Sequence, residues 1–307
     1  MTAAERVTVL GDALLDVLAR PAAPLMAAGD VTATVSLRPG GQGANVGVRL
    51  ARRGVSVRLL SALANDTAGQ MLRGILAGEG IQLAEIPVEA SGSVVVLIDA
   101  AGERTMLSQR APFAHLVGGE LLAPPASWIV VSGYLLLEPD AGGLVRLLAA
   151  ATTPIAILGC ALPDTGRAAT WGARVRDAGA SLVILNAAEA RALLEIGRGA
   201  PTGTEATLAP ALATLLGALV VVTGPMGAAA AEPGGQDTRV EPASGAGPIV
   251  DTTGAGDAFS AAVIASLARG EQLAAALTAG VTLAAAVARV EGAQTHAGSE
   301  LHGTLDE

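Results

Sequence analysis

The sequence contains no lysine, and all 19 of its basic residues are arginines. A phosphate-binding loop of the Gly-Lys-Ser/Thr type needs a lysine that reaches the nucleotide phosphates, so this absence excludes a Walker-type ATPase. The formal net charge of -9 argues against a nucleic-acid-binding surface, which normally carries a basic patch. An anionic small molecule remains compatible with this charge, because backbone N–H groups can hold a phosphate locally.

Cysteine and aromatic residues are also scarce. Cys160 is the sole cysteine, which excludes an intrachain disulfide and a thiolate zinc cluster. Aromatic residues make up 2% of the chain, so the core must be built from alanine, valine, leucine and isoleucine. No apolar run approaches the length of a membrane span, and the first residues lack the apolar stretch of a signal peptide. We therefore expect a cytoplasmic protein that contacts neither nucleic acid nor membrane.

Short apolar runs alternate with longer segments rich in alanine, leucine and arginine. The predicted strands are Val7–Leu10, Val55–Leu60, Val94–Asp99, Trp128–Ser132, Ile155–Leu158, Leu182–Leu185 and Leu219–Thr223. The predicted helices are Ala44–Arg53, Ala68–Glu79, Ala141–Ala151, Thr165–Ala178, Ala187–Ile196, Thr207–Leu216, Ala255–Arg269 and Leu273–Val290. Such alternation predicts an α/β fold with a mostly parallel sheet that is covered by helices on both faces.

Two segments interrupt this alternation. Arg20–Pro39 and Ser91–Arg110 each place apolar and polar residues in turn, which predicts antiparallel strands. The two segments either pair into a small second sheet or form separate surface hairpins, and the pattern alone leaves both open. Glycine and proline enrichment predicts loops at Gly197–Gly203 and Glu232–Pro248.

The strongest chemical signal lies near the C-terminus, where residues 251–257 read Asp-Thr-Thr-Gly-Ala-Gly-Asp before an alanine-rich helix. Free N–H groups of Gly254, Ala255 and Gly256 at the helix start form an anion site, which the helix dipole strengthens. A carboxylate at Asp257 is placed to accept a proton from a nearby hydroxyl. The pattern therefore indicates phosphoryl transfer, although a shorter Gly-x-Gly-Asp would be explained equally well by a capped helix.

A second glycine-rich motif, Pro39–Asn45, leads into an amphipathic helix near the N-terminus. Gly40 and Gly41 let a ligand approach the main chain closely, and Asn45 offers both a donor and an acceptor to a polyol. A plain helix N-terminus, with Asn45 bonded to the backbone, is the alternative. Asp16 closes the first strand, where an α/β sheet usually binds its ligand.

Together these motifs resemble the signatures of the ribokinase (PfkB) family of carbohydrate and nucleoside kinases. Residues 251–257 satisfy every position of Asp/Asn-Thr-x-Gly-Ala-Gly-Asp, and residues 40–45 match Gly-Gly-x-Gly-x-Asn. The resemblance implies a ribokinase-like three-layer sandwich, a single domain over residues 1–307, with a small β-sheet lid from about residues 17–39 and 91–111. It also implies a homodimer through the lid.

The resemblance implies an ATP-dependent kinase that phosphorylates a hydroxyl of a sugar or sugar-like molecule, with Asp257 as the catalytic base. The substrate-binding residues that it implies are Asp16, Gly40, Gly41, Asn45 and Glu138. The nucleotide-binding residues are Asn186, Thr223, Gly224 and Gly227. Glu189 is assigned to Mg²⁺ through water, and Asp251 and Thr253, with the carbonyl of Gly292, to an activating K⁺.

Several positions depart from the family pattern or allow a second interpretation. Leu14 stands where ribokinases carry a sugar-binding Asn, which weakens a specific assignment to ribose. Thr223 is displaced by one position from the usual Thr of the nucleotide loop. The spacing of Asn186 and Glu189 equally predicts a helix capping box.

The sequence fits three other functions less well than it fits a sugar kinase. A dinucleotide-dependent oxidoreductase needs Gly-x-Gly-x-x-Gly after the first strand, where Gly11–Ala13 stands instead. A nucleoside kinase and a non-catalytic binding member of the fold stay open, although the intact Asp257 disfavours the second. Arg104 and Arg110 in the second β segment could reach the substrate or stabilise charge, but a solvated surface position is the favoured interpretation for each.

Overall fold

The computed structural model describes residues 6–100, 102–113, 126–195, 203–235, 237–240, 248–290 and 292–294. The strands are β1 (Arg6–Leu10), β2 (Leu14–Pro21), β3 (Ala33–Gly40), β4 (Ser56–Leu63), β5 (Gln82–Pro87), β6 (Ser93–Ile98), β7 (Arg104–Gln109), β8 (Trp128–Val131), β9 (Ile155–Leu158), β10 (Leu182–Asn186), β11 (Leu219–Gly224), β12 (Gly227–Ala231) and β13 (Asp237–Val240). The helices are α1 (Gln42–Arg52), α2 (Thr67–Gly78), α3 (Gly142–Ala149), α4 (Thr165–Asp177), α5 (Ala187–Leu194), α6 (Glu205–Leu216), α7 (Ala255–Ala268) and α8 (Leu273–Val287). A 3-10 helix spans Gly133–Leu137.

The larger sheet has the strand order β13-β12-β11-β10-β9-β8-β1-β4-β5. Neighbouring strands run parallel except β12, which is antiparallel to both β11 and β13. The chain builds this sheet outward from β1, first through β4 and β5 and then through β8 to β11. The order reverses at β1, and a crevice at the carboxyl ends of the strands is expected at such a point.

Helices cover both faces of this sheet. One buried cluster joins the sheet to α3–α6 around Trp171, and the other joins it to α1, α2, α7 and α8 around Phe259. Small side chains let α7 and α8 pack closely, since a Cβ on Gly280 would lie 2.8 Å from the Phe259 ring. The predicted core of aliphatic residues and the predicted α/β layering are both confirmed.

The two interrupting segments pair in one four-stranded sheet of order β3-β2-β6-β7. Strands β2 and β6 run parallel at its centre, and each has an antiparallel outer neighbour. Val94, Val96 and Ile98 from β6 pack with Leu14 in a small buried cluster. The segments therefore form a second sheet and not two separate hairpins.

Four strands were not predicted. One is β2, so Asp16 does not close the first strand as expected but lies within the second sheet, paired with Arg38. β12 is a Gly-Ala-Ala-Ala-Ala run without a β-branched residue, so its local propensity does not indicate a strand. Pairing with β11 and β13 on either side decides its conformation. β13 lies within the segment that was predicted as a loop, and β5 pairs only at the edge of the sheet beside β4. Within the described residues, no helix is both long and apolar enough to cross a membrane.

Helix α1 begins in close contact with the turn that follows β1. Gly41 has φ of +94°, and a Cβ there would lie 2.5 Å from the carbonyl oxygen of Asp12. A Cβ on Gly43 would lie 2.6 Å from the backbone of Gly11. Side chains at these positions would push the helix away from β1.

Two glycines of α1 give a matched test of this contact. Gly43→Ala should lower the free energy of unfolding by about 1–3 kcal/mol, because the new methyl group meets backbone that cannot rotate away. Gly47→Ala should raise it by about 0.5–1 kcal/mol, since its Cβ would lie 3.5 Å from Ile81 in ordinary contact. Urea unfolding measures both, and equal stability of the two variants would contradict the close approach.

Candidate active site

The two glycine-rich motifs meet at the carboxyl ends of the central strands, where α1 and α7 begin. Asn45 in α1 donates a hydrogen bond from Nδ2 to Oδ2 of Asp257 in α7, at 2.7 Å. Gln294 Nε2 in turn donates to Asn45 Oδ1 at 2.9 Å. The amide of Asn45 is therefore oriented by one neighbour and directed at the carboxylate by the other.

Asp257 is half-buried in the first turn of α7. Burial raises the pKa of its carboxyl group to about 6, although the hydrogen bond from Asn45 and the charge of Arg49 counteract this rise. Arg49 is itself buried, which together with neighbouring Arg52 lowers its pKa to about 10. It donates to the carbonyl oxygen of Ala293 at 2.7 Å. Asp257 thus has the acidity of a group that can exchange a proton near neutral pH.

A cavity of about 200 Å³ opens beside Asp257. Its lining residues are Gln42, Leu158, Gly159, Ile184, Leu185, Asn186, Glu189, Thr223, Gly254, Gly256, Asp257 and Ser260. Gly254 adopts φ of +75°, and a Cβ there would lie 2.7 Å from that of Ala293, so a glycine is needed to begin α7 in this place. The predicted nucleotide residues Asn186 and Thr223 face the same cavity as the glycine loop.

Asn186 and Glu189 form the capping box that their spacing predicts. The Asn186 side chain accepts from the N–H of Ala188 and of Glu189, and Glu189 Oε2 accepts from the N–H of Asn186, each at 2.9 Å. Burial raises the pKa of Glu189 to about 7, opposed by the bond from Asn186 and assisted by the charge of Asp257. Asn186 and Glu189 therefore both cap helix α5 and line the cavity.

The oxygen atoms around this cavity fit a hard cation that arrives with phosphate. Glu189, Asp257 and Asn186 offer oxygen donors, which Mg²⁺ prefers, and a cation would stabilise two carboxylates whose pKa values are raised. The described residues contain no cluster of three or more His, Cys, Asp or Glu side chains able to hold a metal. Magnesium would therefore depend on water and phosphate for the rest of its ligands.

Gly224 and Gly227 form the turn between β11 and β12, outside the cavity lining. Gly227 has φ of +102°. A Cβ on Gly224 would lie 1.8 Å from Oε1 of Glu205, a buried residue that the sequence analysis did not single out. The spacing of these glycines thus reflects a tight hairpin against α6.

A larger cavity of about 360 Å³ lies between the four-stranded sheet and the loop before α7. Its lining residues are Asp16, Leu18, Arg38, Pro39, Val96, Arg104, Met106, Asp251, Thr252, Thr253, Gly292, Ala293 and Gln294. Burial raises the pKa of Asp16 to about 6. A Cβ on Gly40 would lie 2.3 Å from the Asp16 carboxylate, so this glycine leaves space for the acid.

Two positions of the sequence analysis lie elsewhere. Glu138 faces a separate small cavity together with Phe113 and Asp140, and burial there raises its pKa. Leu14 is buried in the apolar cluster under the second sheet and presents no polar atom. The structure therefore does not bring Glu138 to the cavity that contains Asp16.

Arg104 is exposed, as expected of a surface residue, and Arg110 is partly buried, but both form ion pairs that the sequence did not indicate. Arg110 forms an ion pair with Asp12 and lies 3.7 Å from the ring centroid of Tyr134. Arg104 Nη2 lies 2.5 Å from Oδ1 of Asp251. The sequence did carry a weak signal, because Arg104 alternates with Met106 on one face of β7, and both line the larger cavity.

The chain resembles known proteins both in sequence and in fold. A family model described as "pfkB family carbohydrate kinase" matches residues 4–299. No sequence among the curated proteins matches the chain. Three solved structures share less than 25% sequence identity with this chain and resemble it in fold.

Ribokinase from Cryptococcus neoformans in complex with ADP is 21% identical, with a TM-score of 0.76 and coverage of 95% of this chain and 96% of that one. Ribokinase from Arabidopsis thaliana with ribose and ATP is 19% identical, with a TM-score of 0.78 and 94% of each chain covered. Adenosine kinase from Sinorhizobium meliloti is 21% identical, with a TM-score of 0.75 and coverage of 95% and 96%. The fold is thus shared by sugar and nucleoside kinases.

Proposed function

The chain belongs to the pfkB family of carbohydrate kinases, and from that premise we propose that it transfers the γ-phosphoryl group of ATP to a hydroxyl group of a sugar or sugar-like small molecule. The observation that carries this proposal is the hydrogen bond between Asn45 and Asp257. It joins the two motifs, each of which contributes residues to both cavities. A hydroxyl group presented from the larger cavity would meet the base next to the phosphate loop.

The proposed reaction uses the residues around Asp257. The acceptor hydroxyl loses its proton to the Asp257 carboxylate while its oxygen attacks the γ-phosphorus, and ADP leaves with the electron pair of the broken P–O bond. N–H groups of Gly254, Ala255 and Gly256 at the start of α7 stabilise the charge on the transferred group. Magnesium, held through water near Glu189 and Asn186, neutralises phosphate charge when it is bound.

Asp16 and the main chain at Gly40 and Gly41 are proposed to bind the acceptor together with Asn45. The carboxylate of Asp16 has no hydrogen-bond partner among the described residues, although it is partly buried in the cavity wall. Hydroxyl groups of a polyol would supply the missing donors, and such bonds are expected to lower the raised pKa.

A sugar-like acceptor is favoured over a nucleoside by the walls of the larger cavity. Its described lining contains Leu18, Val96 and Met106 but no aromatic side chain on which a base could stack. Base stacking on an aromatic ring contributes about 1–3 kcal/mol per base in single-strand binding proteins. A nucleoside kinase remains the second candidate, because the fold is shared with an adenosine kinase.

We expect the four-stranded sheet to act as a lid over the acceptor and to pair with its copy in a homodimer. By strand register, Val35, Leu37 and Leu107 share the face that points away from the larger cavity, and each is between 52% and 59% exposed. Val17 and Leu97 extend the same apolar face. Covering these side chains with a second copy would remove them from water.

A charge on this face tests the dimer. Leu37→Glu should convert the dimer to a monomer in sedimentation velocity, because the new carboxylate would be buried without a partner. Leu215→Glu, on the outer side of α6, is the matched control and should leave the assembly unchanged. A monomeric parent protein, or a dimer that persists in Leu37→Glu, would contradict pairing through this sheet.

The catalytic role is tested by ADP release from MgATP over a panel of sugars, sugar acids, sugar phosphates and nucleosides. Asp257→Asn should bind ATP and unfold normally, yet lower kcat by a factor of ~10²–10⁴, since only general-base catalysis is lost. Turnover with one acceptor by the parent protein would identify the substrate. Near-normal kcat in Asp257→Asn would remove this residue from the mechanism, and ATP binding without turnover on any acceptor would favour a non-catalytic role.

The raised pKa of Asp257 predicts the pH dependence. A general base must be ionised, so kcat/KM should fall with slope one as the pH drops through about 6. Asn45→Ala removes a donor that stabilises the Asp257 carboxylate, so the acidic limb of the pH profile, where kcat/KM falls, should move to higher pH.

Two other carboxyl groups have raised pKa values, and control variants separate them from Asp257. Asp16→Asn and Glu189→Gln should keep the limb, whatever they do to the KM values for acceptor and ATP. Loss of the limb in either variant, or an unshifted limb in Asn45→Ala, would assign it to a group other than Asp257.

A further inference from the structure

An arginine from the four-stranded sheet binds the loop that leads into Asp257. Arg104 is the first residue of β7, and its Nη2 lies 2.5 Å from Asp251 Oδ1, while Nη1 donates to Thr253 Oγ1. The Asp251 side chain is 5% exposed and that of Arg104 33%. These contacts cross 147 positions of sequence and connect the wall of the larger cavity to the glycine loop.

The remaining contacts of the Asp251 carboxylate are also N–H donors. Oδ1 accepts from the Thr253 N–H at 2.7 Å, and Oδ2 accepts from the Gly292 N–H at 3.0 Å. Burial alone would raise the pKa of Asp251, but the bonds from Thr253, Arg104 and Gly292 outweigh it and hold that pKa well below its usual value. The Asp251 carboxylate is therefore ionised, and its hydrogen-bond donors are a guanidinium group and two backbone N–H groups.

This donor set does not fit the potassium site that the family resemblance implies. Potassium is coordinated by oxygen atoms, such as rings of carbonyl groups. Here Gly292 directs its N–H at Asp251, and a guanidinium group already contacts both Asp251 and Thr253. A second cation beside the guanidinium would meet repulsion from a like charge.

We propose that Arg104 takes the place of a monovalent cation at Asp251, so that phosphoryl transfer by this chain does not depend on potassium. The guanidinium neutralises the buried carboxylate and fixes the hydroxyl of Thr253 with a second N–H group, as its planar fork allows. Arg104 is thus a positioning residue, which acts through Asp251 and Thr253 on the N–H groups that follow them. This inference rests on the proposed kinase activity.

The strand that carries Arg104 also forms part of the wall of the larger cavity. Arg104, Met106, Val96 and Asp16 line one cavity, so the strand that carries the arginine also closes over the acceptor. A movement of the sheet away from this cavity would therefore also separate Arg104 from Asp251.

The first experiment replaces potassium chloride by choline chloride at equal ionic strength. The parent protein should keep the same thermal unfolding midpoint and the same kcat in both salts, because no site takes up the ion. A potassium-specific rise of the midpoint, or an activation of about tenfold or more, the size of a lost electrostatic contact, would overturn the proposal. The unfolding measurement needs no turnover, so it decides the question even if no acceptor is phosphorylated.

The second experiment compares Arg104→Gln with Arg104→Lys and with the charge-matched control Arg38→Gln in the same cavity. Arg104→Gln should lower kcat on the order of 10- to 100-fold with a smaller change in the KM for ATP, because the loop loses its support. Arg104→Lys should restore most of this loss, since an ammonium group still neutralises Asp251. Arg38→Gln should act mainly on the KM for the acceptor.

Three results would contradict the role of Arg104. They are parental kcat in Arg104→Gln, equal kcat in the Gln and Lys variants, and an equal loss of kcat in Arg38→Gln. The unfolding midpoint of each variant separates a loss of fold from a loss of positioning, and the Lys variant keeps the comparison open should the Gln variant unfold.

Discussion

The close contact between the start of α1 and the turn after β1 is the constraint on which the rest of the site depends. Gly41 adopts a left-handed backbone conformation, and Gly43 lies directly against Gly11. Because these residues have no Cβ, the first turn of α1 reaches the carboxyl end of β1. Asn45, one turn further along, is then within hydrogen-bond distance of Asp257, which lines the smaller cavity.

Three carboxyl groups that line the two cavities are partly buried. Burial raises the pKa values of Asp16 and Asp257 to about 6 and that of Glu189 to about 7. Partial compensation comes from the Asn45 amide, the Arg49 charge and the Asn186 N–H. Raised pKa values concentrated in these two cavities are typical of sites where chemistry, and not packing, determines the residue.

Arginine side chains attach the four-stranded sheet to the main body at two points. Arg104, where β7 begins, is paired with Asp251, and Arg110, just after β7 ends, is paired with Asp12 and stacked on Tyr134. A chain without lysine meets both needs with guanidinium groups, whose planar shape suits bidentate contacts and stacking on a ring. The sheet that lines the larger cavity is therefore held by charges at both ends of one strand.

Local sequence determined most of the architecture and the identity of the two motifs. Alternating apolar runs and alanine-rich segments predicted seven strands of the two sheets and the eight helices to within a few residues, because hydrophobic periodicity is a local property. Residues 251–257 and 40–45 pointed to phosphate and polyol chemistry through their glycines and acids. β12 was missed, since its alanines form a strand only when β11 and β13 pair with it.

Tertiary structure alone decided which distant groups share a charge environment. Arg104 and Arg110 looked like solvated surface residues in the sequence, yet the fold pairs them with Asp251 and Asp12. Gly224 and Glu138 were expected in the site, and the fold places the first in a hairpin turn and the second beside a separate small cavity. The raised pKa of Asp257 likewise follows from burial and from neighbours far along the chain. Hydrophobic periodicity and glycine conformation act over a few residues, so the sequence reveals them. Desolvation and ion pairing depend on every group that the folded chain brings within a few ångströms, so only the tertiary structure decides them.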